Sequence, residues 1–255
     1  MQADTEHNPA PVAIGGVGGS GTGVVAQLIA DMGLFIGDNL NRSNDNMSFV
    51  KSRELLAIAD PLERQHAIAL ELQLFEQRMY AGFIRQGAGH YRNWAWKVPG
   101  QFHILEHTAT YFSGLKYVHV MRHGLDMAFS RNKNQLRNWG PMMGLTSTSR
   151  DDPAAALDYW ILANEKAVNA GRSLLGDRFF VLNYDRLCSD PDTVIQQLAQ
   201  FVIDKPVLEQ DIRRLTQVVK PPSTVHRYQQ HNVVELFSAS ALARVEALGF
   251  DCKVA

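Results

Sequence analysis

The chain has 255 residues, enough for one sizeable α/β domain. With 25 basic and 26 acidic residues its formal charge is −1 and its pI is near 6.8, which argues against a nucleic-acid surface. Two cysteines, Cys188 and Cys252, give neither a disulfide framework nor metal-site spacing, and no apolar run is long enough to span a membrane.

In chain order, residues 1–10 are polar and lack an apolar signal core. They are expected as a disordered arm ahead of a single domain over residues 11–255, in a cytoplasmic protein. Val12 to Ile14 read as a buried strand. Six glycines then fall within nine positions, Gly15 to Gly23, around Ser20 and Thr22. Such a density lets the backbone take positive φ and lets a ligand approach closely. Val24, Val25, Leu28, Ile29 and Met32 follow at helical spacing, with Gly33 as a stop. A helix N-terminus beneath a glycine loop is an anion site, usually for phosphate.

The loop fits three phosphate templates. Gly16-x-Gly18-x-x-Gly21, with Asp38 downstream, matches a dinucleotide fingerprint. Gly16 and Gly21 also begin a Walker A loop, but Thr22-Gly23 stands where Lys-Ser/Thr belongs, which disfavours a kinase or NTPase. The third template is a Ser-Gly-Thr turn, whose backbone and hydroxyls hold a terminal phosphate without a metal.

Leu34 to Ile36 is a possible second strand, and residues 37–49 form an Asn/Asp/Ser-rich loop that either is plain surface or lines the site mouth through Asp38, Asn41, Asp45 and Asn46. Residues 61–86 read as a long helix with Ile68, Leu72, Phe75, Met79 and Phe83 on its core face. Trp94 to Lys97 is a short strand before Pro99, and Phe102 to Phe112 a helix. His103 and His107 are four apart on that helix with no third ligand in view, so they are expected on its surface. Tyr117 to Met121 is a strand ending at Arg122, followed by a helix carrying Ser130; this arginine and serine can converge on one anion. Residues 138–152 form a loop, either an apolar lid or a plain excursion. A helix over 153–175, a strand over 178–183, two helices broken near Pro206, a basic proline-stiffened loop over 220–228 and a last helix over 238–248 complete the chain. The alternation implies an α/β fold, one domain with a central parallel sheet flanked by helices.

With these pieces in place the chain resembles the sulfotransferase family, which transfers sulfuryl groups from 3′-phosphoadenosine-5′-phosphosulfate (PAPS) and releases 3′-phosphoadenosine-5′-phosphate (PAP). Gly19-Ser20-Gly21-Thr22 looks like the 5′-phosphosulfate loop. Arg122 and Ser130 match the 3′-phosphate motif. The segment from Val181 through Tyr184-Asp185 to Asp190-Pro191 looks like the family's Tyr-Glu-Asp-Leu…Asp-Pro run. Lys220 to Tyr228 resembles the late loop that closes over the nucleotide. The resemblance implies a P-loop-like α/β fold and a cofactor site formed by Gly18, Gly19, Ser20, Gly21, Thr22, Gly23, Arg122, Ser130, Tyr184, Lys220, Ser223, Thr224 and Arg227. It implies no metal, and as partner a small-molecule or carbohydrate acceptor hydroxyl.

Two departures shape the catalytic assignment. The family carries Lys or Arg just before Ser-Gly-Thr, where this chain has Gly19, so another cation must serve. Lys97 is the candidate, because Lys97-Val98-Pro99 resembles a Lys-x-Pro motif of carbohydrate sulfotransferases. The family's histidine base has no counterpart near Lys97, which points to a carboxylate, either Asp45 or Asp38. The competing classes are an NAD(P)-dependent oxidoreductase on a Rossmann fold, which leaves Arg122, Ser130 and Tyr184 unexplained, and a non-catalytic nucleotide-binding protein. The acceptor stays open: Trp94, Trp96 and Trp139 suit a sugar, a phenol or a lipid-like alcohol equally.

Overall fold

In a computed structural model, which describes residues 10–49, 52–147, 149 and 152–253, five parallel strands form one sheet. They are β1 (Val12–Gly16), β2 (Leu34–Phe35), β3 (Asn93–Lys97), β4 (Lys116–Met121) and β5 (Phe179–Asn183), in the spatial order β2-β3-β1-β4-β5. Apart from Ala10, the arm expected at 1–10 lies outside the described residues.

The strands are short and apolar because helices cover both faces. Val12 and Ile14 point to the face held by helix α1 (Thr22–Asp31) and helix Pro191–Ile203, where Val25, Leu28, Ile195 and Leu198 meet Val118 and Val120. Ala13, Trp94, Trp96 and Tyr117 point to the other face, against Ile68, Leu72, Phe75 and Met79 of helix Pro61–Arg85 and Trp160 of helix Pro153–Leu175. Both long helices start as their sequences demand. Asp60 accepts from the Glu63 N–H at 2.7 Å and Asp152 from the Ala155 N–H at 2.9 Å, each followed by Pro at the first helical position.

Three expected elements differ. The helix expected at Phe102 to Phe112 begins as a 3₁₀ segment, Pro99–Ile104, and turns α-helical only over Leu105–Tyr111. The loop at 138–152 is interrupted at its start by helix Asn134–Trp139 and a 3₁₀ turn at Pro141–Met143. The helix after Arg122 is one short piece, Gly124–Ala128, so Ser130 lies beyond its end. The Ser-Arg-Asn-Lys-Asn run there prefers turns, and Ser130 Oγ accepts from the Asn132 N–H at 3.2 Å.

Sheet order positions the site. Gly16, Lys97, Arg122 and Tyr184 all stand at or just beyond carboxyl ends of strands, where open α/β sheets bind ligands. The end of β3 pairs directly with β1, Ile14 opposite Lys97. β2 is pushed to the edge.

Candidate active site

The glycine loop joins β1 to α1 and leaves the first N–H groups of α1 open to a cavity of about 700 Å³. Gly21 holds the N-cap position at φ 91°, and a Cβ there would lie 2.2 Å from the Tyr184 ring. Only glycine combines that conformation with that approach. Ser20 is fully buried, its hydroxyl without a partner among the described residues, and Thr22 is buried beside it. A buried hydroxyl without a partner beneath a ring of free N–H groups fits a bound anion.

The cavity is lined by Gly18, Gly19, Gly21, Thr22 and Gly23 from the loop, by Arg42, Ser43, Asn44 and Asp45 from the segment after β2, and by Lys97, Arg122 and Tyr184. Lys97 is buried. Its ammonium donates to the Ser43 carbonyl at 3.0 Å and forms an ion pair with Asp45. Burial lowers the Lys97 pKa, and Asp45 opposes that shift. The cation and the carboxylate named from sequence are therefore partners. Asp38 is a correction: it is absent from the cavity lining, and its carboxylate is held by Arg85 at 2.7 Å. The reason is topological. In the dinucleotide fold the strand beside the glycine loop ends in the ribose-binding carboxylate; here β3 occupies that place and presents Lys97. The NAD(P) reading is disfavoured on the same point.

Arg122 is buried and already engaged. Its Nη2 donates to the Thr224 carbonyl at 2.6 Å, to Thr224 Oγ1 at 3.1 Å and to Asp126 Oδ2 at 3.3 Å, while Nε has no partner among the described residues. Asp126, which sequence reading passed over, is fully buried. It also accepts from the N–H groups of His226 at 2.8 Å and Tyr228 at 3.2 Å, tying the late loop to Arg122. Its signal was the i,i+4 spacing from Arg122. Arg227 donates to the Thr224 carbonyl at 3.2 Å; burial and the neighbouring Arg122 both lower its pKa. Val218 and Pro222 reach the cavity from this region, whereas Lys220 and Ser223 are exposed and do not line it. Ser130 does not line it either.

Tyr184 opens helix Tyr184–Ser189, capped by Asn183, whose side chain accepts from the Arg186 N–H at 3.0 Å. Burial first, then the adjacent Cys188, push the Tyr184 hydroxyl up to about 12, so it stays protonated. The tryptophans are corrections. Trp94 and Trp96 are core residues whose rings stack 5.3 Å apart, and Trp139 stacks on His103 at 3.9 Å. His103, expected on a helix surface, is half-buried under that ring, with its Nε2 enclosed and unpartnered. Among the described residues no cluster of three or more His, Cys, Asp or Glu could hold a metal, and no helix is long and apolar enough to cross a membrane.

The chain matches the sulfotransferase family over residues 11–203. No curated protein sequence matches it. Among solved structures it is similar to the sulfotransferase domain from the Synechococcus PCC 7002 olefin synthase, at 17% identity and TM-score 0.58 over 99% of each chain. It is also similar to the sulfotransferase domain from the curacin biosynthetic pathway, at 18% identity and TM-score 0.50, over 84% of this chain and 78% of that one. At such identities the likeness is one of fold.

Proposed function

This chain belongs to the sulfotransferase family, and from that premise we propose how its own residues move a sulfuryl group from PAPS to an acceptor hydroxyl, leaving PAP. The observation that carries the reading is the convergence of the glycine loop, the Lys97–Asp45 pair and Arg122 on one cavity. The loop N–H groups, Ser20 and Thr22 hold the 5′-phosphosulfate. Arg122, with Thr224 and Arg227 beside it, takes the 3′-phosphate, to which its guanidinium and that of Arg227 offer planar forks of donors. Tyr184 walls the loop side.

Sulfuryl transfer is a matter of positioning and charge neutralisation. As the bond between sulfur and the bridging oxygen breaks, Lys97 faces the negative charge that grows on the departing phosphate. Asp45 takes the proton of the acceptor hydroxyl as its oxygen bonds to sulfur. The acceptor is a small molecule with a free hydroxyl, a sugar unit included, since the cavity must hold it beside the nucleotide. We propose as well that residues 11–255 form one domain. A cytoplasmic location agrees with two cysteines that remain unpaired.

Titration with PAP and with NAD tests the donor assignment. PAP is expected to bind and NAD not to; binding of NAD alone overturns the assignment.

A further inference from the structure

The glycine loop offers no side-chain cation, because position 19 is glycine, and the other cations of the cavity are committed. Lys97 is neutralised by Asp45, and Arg122 is held by Asp126 and Thr224. At the scissile end of the donor, Lys97 is paired with Asp45 until that carboxylate takes the acceptor's proton, while cleavage turns a phosphate monoanion into a dianion. Two cations suit that dianion, and the pair offers one. Arg53 does not supply the second: its Nη1 is bonded to Asn138 at 3.1 Å, and it does not line the cavity.

Arg42 does line it. Its side chain is exposed and, among the described residues, has no ion pair or hydrogen bond. Its backbone, in contrast, is tightly fixed. Asn41 Oδ1 accepts from the N–H groups of Ser43 at 2.8 Å and Asp45 at 2.9 Å, and Asn41 Nδ2 donates to Asp45 Oδ2 at 2.7 Å. Asn44 takes φ 61°, a conformation asparagine tolerates, and its Nδ2 donates to the Gly23 carbonyl at 3.2 Å. Lys97 holds the Ser43 carbonyl from the other side. The turn is thus bolted to the first turn of α1 and to the end of β3, with Arg42 at its tip.

We propose that Arg42 is the cation that replaces the missing loop residue: its guanidinium engages the phosphosulfate end of PAPS and stabilises the charge that develops as sulfuryl leaves. A planar fork matches the oxygens of a phosphosulfate, and a rigid turn places it with little reorganisation. On this account Lys97 has a second task, holding the turn that carries both Arg42 and Asp45. The inference rests on the donor reading above.

The test compares wild type with Arg42→Gln and Arg42→Lys, with Arg213→Gln as a charge control on an exposed cation paired with Glu209. Calorimetric titrations give the affinities for PAPS and for PAP, and chromatography gives the rate at which PAP appears from PAPS in water, where a water oxygen replaces the bridging oxygen on sulfur. Arg42→Gln is expected to slow PAP release roughly 100-fold, the scale of one lost anion-stabilising donor, and to weaken PAP, whose 5′-phosphate carries in full the charge that develops in the reaction, at least as much as PAPS. Arg42→Lys recovers most of both losses, and Arg213→Gln changes neither. Undiminished PAP release in Arg42→Gln, or a PAP affinity equal to that of wild type, overturns the inference. Failure of the wild type to bind PAP instead overturns the donor reading.

Discussion

At the scale of single residues, Arg122 was legible because its strand announces itself and its chemistry is unambiguous, but its environment was not. The chain separates it from Thr224 and Tyr228 by about a hundred residues, and only folding makes Asp126 the link between them. Arg122→Ala is expected to weaken PAP by about 1.5–3 kcal/mol, the loss of a hydrogen bond to a charged group. AMP, which lacks the 3′-phosphate, should be nearly unaffected. Equal losses in isothermal titrations would show that the arginine does not read the 3′ end. Lys97→Met should lower turnover far more than PAPS affinity, since the ammonium acts on charge that appears only as the bond breaks. A variant with normal turnover would leave Lys97 a purely structural anchor for the Asn41–Asp45 turn.

At the scale of elements, the glycine loop was readable as a phosphate site but not as to what packs on it. Tyr184 lies far along the chain, and its ring fills the space that a side chain at position 21 would need. Gly21→Ala is expected to cost about 1–3 kcal/mol from the left-handed backbone alone, with further loss from displacing Tyr184. A fall in Tm together with weakened PAP binding would be the signature; unchanged values would mean that the loop is softer than its geometry implies. The same reasoning bears on Gly19, at φ 98°. Placing lysine there to recreate the family's usual loop strains the backbone, so the cation has reason to come from another element. The Asn/Asp/Ser-rich turn after β2 stood open in the sequence between plain surface and site mouth, because nothing local reveals that Asn44 and Lys97 fasten it to the site.

At the scale of the whole molecule, the strand count and the parallel sheet followed from the alternation of apolar runs, but strand order did not, since order is decided by crossovers that leave no local trace. That order buries β4 in the middle of the sheet and with it His119, a residue that reads as an ordinary strand position. His119 is fully enclosed; Nε2 meets Asn164 Oδ1 at 2.9 Å, and Nδ1 has no partner among the described residues. Asn164 Nδ2 is spent on the Trp160 carbonyl, so the Asn164 oxygen is left to accept and the second imidazole proton would have no acceptor. Burial accordingly drives His119 down to about 4, and His103 down to about 3 with Lys166 adding to the effect. In the unfolded chain both histidines protonate near 6.5. Below that pH the unfolded state binds more protons than the folded one. The stability these histidines contribute is whole above pH 6.5 and shrinks as the pH falls towards 4, by up to about 1.4 kcal/mol per pH unit for each. Carboxylates held low by their partners, Asp152 by Ser147 and Glu165 by Arg244, act only when the pH falls through the carboxylate range, near 4 and below. Thermal unfolding followed from pH 7 to 4.5 should therefore show a nearly flat Tm down to about 6.5 and then a decline, with His119, His103 and His123, all held low by burial, as its source. His119→Gln, which retains a donor for Asn164 and cannot titrate, should flatten that decline. A wild-type Tm that holds constant to pH 4.5, or a decline of equal slope in the variant, would mean that the centre of the sheet admits the second proton.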